Sequence, residues 1–404
     1  MPQARTTDRR YEGVTLRMLT LAGSEYLPAV RIFAEEFKER TGAAIVFDSA
    51  PSWFLLQPWI KSAHASSAVP WDLFCNDLEF QYTLWPYFLP LTDLTAKSRY
   101  DWTGFFRPVM EYGESVPTGE HVRYGLPIRV RVPLLIYRSD LIATVPKSWD
   151  AYEQMLADLT SRDRYALGCV GAQEPMGKMF LARYCSAGDT LLSPDWKPQI
   201  NSDRGVWALE MLLRQINRYA PPGVSGWNRE YAIYNFLTGK VALAEGMTPP
   251  VIDIIGHRSS TVSDRWAIGR CPGSGKTEFT SHSFFIFKGS ANVEAAFEFI
   301  TYATNRANAQ RLLAAGDYPA RRDVWFTPET SSARPYLSGI ADAIDASVPF
   351  APGVSQWFDM LKVLWDGLTS CLAGRVKPKA TLNDVARQWG TLLPPGGYDF
   401  PYRE

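Results

Sequence analysis

Near the middle of the chain, Asn235-Phe236-Leu237-Thr238-Gly239-Lys240-Val241-Ala242-Leu243-Ala244-Glu245-Gly246-Met247 reads as a helix end, a tight turn and a short apolar strand. Gly239 offers the left-handed residue that stops a helix, since it has no Cβ to crowd the backbone there. Val241 to Ala244 are four apolar residues in a row. That pattern suits a strand buried on both faces, as happens when helices cover both sides of a sheet. Glu245-Gly246 then falls where an open α/β sheet presents its ligand crevice. The run therefore favours an α/β fold over an all-helical or all-strand one.

The rest of the chain is consistent with alternation. Val14 to Thr20 is a first strand, stopped at Leu21-Ala22-Gly23-Ser24. A helix from about Pro28 to Arg40 places Val30, Phe33, Ala34 and Phe37 on one face, and Gly42 ends it. Ala44 to Phe47 and Trp71 to Cys75 are the next strands. Strand, helix, strand, helix, strand implies parallel pairing with right-handed crossovers. Ser148 reads as the N-cap of a helix that opens Trp149-Asp150-Ala151-Tyr152. Further helices are expected around Met176 to Ser186, Val206 to Arg218 and Val293 to Thr304. Strands are expected at Trp266 to Ile268 and Ser283 to Phe287, and a mostly helical tail to Trp389.

Length and charge narrow the function. At 404 residues the chain exceeds one ordinary core, so two lobes or one large α/β domain are expected. Lys+Arg and Asp+Glu both total 42, so the chain lacks the basic surface a nucleic-acid partner requires. No apolar stretch approaches the roughly 20 residues of a membrane span. Met1 to Gly13 is polar and has no apolar signal core. Taken literally this places the chain in the cytoplasm; a start that replaces a removed leader is the alternative. Cys75, Cys169, Cys185, Cys271 and Cys371 lie far apart with no Cys-x-x-Cys spacing, and they read as buried small hydrophobes. The four histidines show no metal-ligand or triad spacing, so no metal, cofactor or catalytic group is implied.

Gly273-Ser274-Gly275-Lys276-Thr277 imitates a phosphate-binding loop. The loop requires a further glycine five positions before Gly275, where Arg270 stands, and a helix after it, where Glu278-Phe279-Thr280-Ser281 leads into a strand. A surface turn is the better reading.

Seven marks in order carry a resemblance. They are Tyr26-Leu27-Pro28-Ala29, Trp71-Asp72-Leu73-Phe74, Gly125-Leu126-Pro127-Ile128, Ser148-Trp149-Asp150-Ala151-Tyr152, Gln173-Glu174-Pro175, the Gly239 to Gly246 run, and Lys288-Gly289-Ser290 with Ala295-Ala296-Phe297-Glu298-Phe299. Over about residues 14 to 390 the chain resembles the extracellular solute-binding proteins of ABC importers, in the maltose-binding-like sugar and polyol branch. The resemblance implies a two-lobed periplasmic-binding-protein fold of type II, with the ligand in a cleft between lobes joined by hinge crossings. By analogy the crossings lie near Arg129–Pro133, His282–Ser283 and Arg321–Asp323. The first lobe would hold 1–130 and 283–321, the second 132–281 and 323–404. The same resemblance implies a periplasmic or membrane-tethered monomer that closes on a small carbohydrate and delivers it to a cognate permease.

Carried over position by position, the ligand contacts expected from the first lobe are Ser24, Glu25, Tyr26, Trp53, Cys75, Asn76, Asp77, Glu79, Arg129 and Arg131. Those from the second are Glu174, Met176, Trp227, Glu245, Gly246, Met247, Thr248 and Trp357, with Arg321 and Arg322 beside the third crossing. The chemistry suits sugar hydroxyls, which donate and accept together: carboxylates and amides accept or bridge, and indole faces stack on C–H surfaces. With aromatic residues at 13% and 14 tryptophans, stacking faces are plentiful, although a large aromatic core explains most of them. The maltose-type pattern has aromatics where Cys75 and Met176 stand, so a mono- or disaccharide or a polyol is expected rather than a long maltodextrin.

Several readings stay open at this level. Asp77 could cap a helix, Glu245 could pair with a lysine, Trp227 could pin a loop and Trp357 could be core. Arg129 and Arg131 share one side of an extended run. They either pair with acids such as Asp77 or Glu245, or bind an anionic sugar acid, sulfonated glycoside or phosphorylated polyol. A glycoside hydrolase using Glu174 and Glu245, and a sensor built on a solute-binding lobe, are the other classes.

Overall fold

The computed structural model describes residues 9–24, 26–67, 69–114, 121–169, 173–227, 229–247, 260–349 and 351–398. Along the chain, β1 (Thr15–Leu21), α1 (Leu27–Thr41), β2 (Ala44–Ala50), α2 (Trp53–Ala65) and β3 (Leu73–Asp77) alternate as the hydrophobic pattern predicts. Then come β4 (Leu126–Arg131), β5 (Leu134–Arg138), α3 (Trp149–Leu159), β6 (Tyr165–Gly168), α4 (Gln173–Ser186), α5 (Asp203–Tyr219) and α6 (Arg229–Leu237). The series continues with β7 (Val241–Met247), β8 (Trp266–Gly269), β9 (Glu278–Ile286), α7 (Val293–Ala303), α8 (Arg306–Ala314), α9 (Trp357–Leu372) and α10 (Pro378–Leu392).

The chain divides into two compact units. Unit 1 is Met1–Val130 with Thr280–Thr327, and unit 2 is Arg131–Phe279 with Pro328–Glu404. In unit 1 the strand order is β9-β3-β1-β2, with β4 beside β9. β1 pairs in parallel with β2 and with β3, as strand–helix–strand alternation implies. β9 enters antiparallel to β3. The apolar stripe of α1, Val30, Phe33, Ala34 and Phe37, packs on Leu16, Met18, Leu73, Phe284 and Ile286 of this sheet, with Ala295, Ala296 and Phe299 of α7 beside it. Gly42 ends α1 at φ 87°, its N–H closing on the Lys38 carbonyl.

In unit 2 the order is β6-β7-β5-β8. β7 is interior, and Val241 to Ala244 are all buried, which accounts for their unbroken apolar run. Gly239 has φ 72° at the turn before it. Ser148 caps α3, its hydroxyl accepting the Ala151 N–H at 3.2 Å. The Gly273 to Thr277 segment forms turns with Gly273 at φ 76° and Gly275 at φ 69°, and β9 follows rather than a helix. No phosphate-binding loop is built there.

Two elements extend beyond their expected bounds. β7 does not stop at Ala244: Glu245, Gly246 and Met247 continue it. The strand runs on because Gly246, at φ 77°, absorbs a bulge where the β5 register shifts between Leu134 and Leu135. β9 begins at Glu278, five residues before the apolar Ser283 to Phe287 stretch, and is buried along its whole length.

Candidate functional site

In unit 1 the ends of β1 and β3 and the start of α2 bring polar side chains together around Asp77. After β1 the chain turns at Gly23, with φ 72°, and the Ser24 N–H closes on the Leu21 carbonyl. Tyr26 then opens α1 from a fully buried position and donates its hydroxyl to the Cys75 carbonyl at 2.7 Å. Burial pushes that hydroxyl well above its ordinary pKa, with the neighbouring Cys75 adding to the effect and a side-chain hydrogen bond from Ser24 opposing it. Tyr26 therefore stays protonated, as a donor. Burial likewise pushes the Cys75 thiol far up, so it is an inert apolar filler rather than a nucleophile.

Asp77 closes β3. Its Oδ2 accepts the Trp53 indole N–H at 2.8 Å, so Trp53 is a donor to the carboxylate as well as a ring surface. His282 Nε2 lies 3.2 Å from Oδ1. His282 is directly opposite Asp77 in the antiparallel register and sets its ring against Tyr26, centroids 4.8 Å apart. Opposite residues in such a pair share a face, and successive residues alternate. Cys75, Asp77 and His282 thus occupy one face with Tyr26, while Asn76 and Ser283 occupy the other.

Alternation corrects the expected ligand set at Asn76. Its side chain is fully buried on the face away from Asp77, its Oδ1 taking the Asp77 N–H at 2.8 Å. Glu79 is also buried, at the N-terminus of the short helix Phe80–Leu84.

Two arginines of unit 1, Arg129 and Arg321, are matched by carboxylates. Arg129 is fully buried and pairs through NH2 with Asp317 at 3.0 Å. Asp317 is not among the acids considered for it from sequence. Arg321 meets Asp101 at 2.6 Å and Asp323 at 2.9 Å, with its guanidinium over the Phe105 ring. Arg322 is exposed, with its guanidinium 5.1 Å from the Phe326 ring centroid.

In unit 2 the Glu245 carboxylate is held by Arg183, not by a lysine. NH1 and NH2 of Arg183 reach its two oxygens at 2.6 and 3.0 Å, and the Tyr152 hydroxyl lies 3.4 Å away. Arg183 also donates to Gln215 Oε1 and the Met179 carbonyl, and it sits over the Trp149 ring. This network ties β7 to α3, α4 and α5. Both Glu245 oxygens are thus taken up by Arg183 in this structure. Met176 is fully buried in α4, and Glu174 lies in the same helix. Trp227 is largely buried and meets Tyr231 edge-on at 4.9 Å. Trp357 is fully buried against Trp389, as the core reading left open from sequence expects. Met247 ends β7, and Arg131 opens unit 2 in a half-buried position. Glu25 and Thr248 lie outside the described residues.

The structure thus gathers Ser24, Tyr26, Trp53, Cys75 and Asp77 in one place and adds His282, which sequence reasoning left among scattered histidines. The signal for His282 is its register against Asp77, a non-local pairing that local spacing does not reveal. Among the described residues, no group of three or more His, Cys, Asp or Glu side chains is placed to hold a metal ion. What the cluster offers is a carboxylate that accepts the Trp53 indole N–H on one oxygen and has the His282 ring 3.2 Å from the other, bordered by aromatic carbon, a combination suited to hydroxyl groups on a hydrocarbon frame.

The family model described as bacterial extracellular solute-binding protein matches residues 23–310. A binding protein of Brucella abortus (strain 2308) is 22% identical over 94% of this chain and 96% of its own length. Among solved structures, the maltose-bound MalE3 of T. maritima superposes with a TM-score of 0.82 at 19% identity, covering 94% of this chain and 100% of that one. An ABC transporter solute-binding protein of Agrobacterium radiobacter K84, in complex with ribitol, gives the same TM-score and identity over 95% and 99%. At such identities the likeness is one of fold, the α/β fold of two-lobed binding proteins.

Proposed function

Because the chain belongs to the bacterial extracellular solute-binding protein family, we propose that it is the substrate-binding receptor of an ABC importer and that its ligand is a small neutral sugar or polyol. The observation that carries the ligand class is the Asp77 carboxylate, held by the Trp53 indole N–H and facing the His282 ring, which lies against Tyr26. A carboxylate accepts hydroxyl hydrogens, and the flanking rings offer surface to C–H groups. The maltose and ribitol found in two proteins of this fold belong to the same chemical class.

A neutral ligand is favoured over an anionic one because the charges of Arg129 and Arg321 are met by Asp317 and by Asp101 with Asp323. Binding is favoured over hydrolysis because Glu245, one of the two carboxylates a hydrolase would need, is tied to Arg183. On this reading unit 1 contributes Ser24, Tyr26, Trp53 and Asp77 to the ligand contacts, and hinges lie near residues 130, 282 and 322. The protein would work as a monomer, outside the cytoplasmic membrane, with a permease as partner. No described helix is long and apolar enough to cross a membrane.

A thermal-shift screen of neutral sugars, polyols and sugar acids tests the proposal. A ligand present at 100 times its Kd should add about 2.7 kcal/mol of stability, a shift of several degrees. Shifts confined to sugar acids, or turnover of aryl glycosides, would overturn it.

A further inference from the structure

We infer that Asn76 is a positioning residue of the ligand site: its side-chain amide stands in for a strand bond along the open edge of β3 and so fixes the backbone from which Asp77 projects. This rests on the functional reading above and adds to it a fully buried residue that acts through Asp77.

β3 lies between β1 and β9, but the two neighbours do not run equally far beside it. The pairing with β9 continues to Asp77, opposite His282, and one step further the Leu78 N–H donates to the Ser281 carbonyl. The parallel register with β1 stops at Leu19 opposite Phe74, and from there β1 continues along β2 as far as Leu21 opposite Ala50. The last part of β3 therefore has a strand on one edge only. Backbone groups of successive residues alternate between the two edges. With the Leu78 N–H directed at β9, the Asp77 N–H and the Cys75 carbonyl point to the edge that β1 has left. Side chains meet both groups. Tyr26 donates its hydroxyl to the Cys75 carbonyl at 2.7 Å, and Asn76 Oδ1 accepts the Asp77 N–H at 2.8 Å. A donor and an acceptor thus stand where a longer β1 would have supplied both. Only the oxygen of the amide can serve an N–H, so the orientation of the Asn76 side chain is set by this bond. An unmet backbone N–H is costly in such a buried place. Without the amide the peptide between residues 76 and 77 is drawn toward another acceptor, and the carboxylate that bonds the Trp53 indole at 2.8 Å moves with it. A backbone held before the ligand arrives costs less entropy to engage than a loose one.

The experiment joins amide hydrogen exchange to calorimetric titration of ribitol and maltose, in the wild type, Asn76→Leu, Asp77→Asn and the double variant. Asn76→Leu keeps a side chain of similar size and removes the acceptor. In the ligand-free protein the residue 77 amide should exchange about ten-fold faster in Asn76→Leu than in the wild type, and the β1 amides of Leu16 and Met18 should change less. Affinity for a probe that binds should fall about ten-fold. In the Asp77→Asn background the same change should weaken binding little further, because both act through one group. Thermal midpoints establish that each variant is folded, and Asn76→Ala replaces the leucine variant should that one not fold. Exchange at residue 77 raised no more than at Leu16 and Met18, wild-type affinity in folded Asn76→Leu, or an undiminished loss in the Asp77→Asn background overturns the inference. A folded wild type that binds neither probe overturns the functional reading itself, and the exchange rates still decide separately whether Asn76 holds the Asp77 backbone.

Discussion

The guanidinium of Arg183 meets the carboxylate of Glu245 at 2.6 and 3.0 Å inside unit 2, where neither side chain is more than 2% exposed. Two charges so deeply buried gain from each other what they lose in hydration only while both are present. Removing one partner, as in Arg183→Met or Glu245→Leu, should cost about 3–5 kcal/mol. The double variant Arg183→Met/Glu245→Leu should recover much of that loss. Denaturant unfolding of the three variants checks this; a double variant as unstable as the sum of the singles would contradict it.

Gly246 occupies φ 77° within a strand, at the bulge against β5. A Cβ in the left-handed region costs about 1–2 kcal/mol. Gly246→Ala should therefore lower the unfolding midpoint, because the bulge in β7 cannot form without that conformation. A variant with wild-type stability would place the strain elsewhere.

Arg129 and Asp317 form a buried pair in unit 1. Arg129→Ala should destabilise by about 3 kcal/mol, since it leaves a largely buried carboxylate unmatched, and Asp317→Asn should destabilise as well. Thermal unfolding distinguishes this structural role from the anionic-ligand role: an Arg129→Ala protein of unchanged midpoint that loses only acidic ligands would reverse the assignment.

Asp101 has a pKa lowered to about 2, first by its hydrogen bonds from Thr103 and then by Arg321. A depressed carboxylate pKa contributes stability above the unfolded value, near 4, and that contribution fades as pH falls towards 2. The group is more than half exposed, so solvent screening keeps the effect small. Asp101→Asn should lower the midpoint slightly at pH 7 and not at all near pH 2. A difference that grows on acidification would contradict the sign.

Much of this architecture is legible from local pattern. The α1 stripe, the Gly42 stop, the Ser148 cap and the buried β7 run are each decided within a dozen residues, where helical or strand period and cap chemistry suffice. The residue order that resembles the binding-protein family adds the connection between them. β9 was harder to read because Glu278, Thr280, Ser281 and His282 interrupt its apolar pattern; they are buried nonetheless, since neighbouring strands rather than periodicity decide their environment. The site divides in the same way. Tyr26, Trp53 and Asp77 sit at strand and helix ends, at positions that the family resemblance implies. The partners His282, Arg183 and Asp317 come from distant segments through register and helix packing, which no local spacing encodes. Asn76 illustrates the converse: adjacent to Asp77 in sequence, it is on the opposite face because strand side chains alternate.

The most direct measurement of the central claim is calorimetric titration of neutral polyols and small sugars, ribitol and maltose first, into the wild-type protein and into Asp77→Asn. The account predicts saturable one-to-one binding by the wild type and at least about ten-fold weaker binding by the variant at a similar unfolding midpoint. Wild-type affinity retained by Asp77→Asn, or no saturable binding of any neutral sugar or polyol, would contradict it.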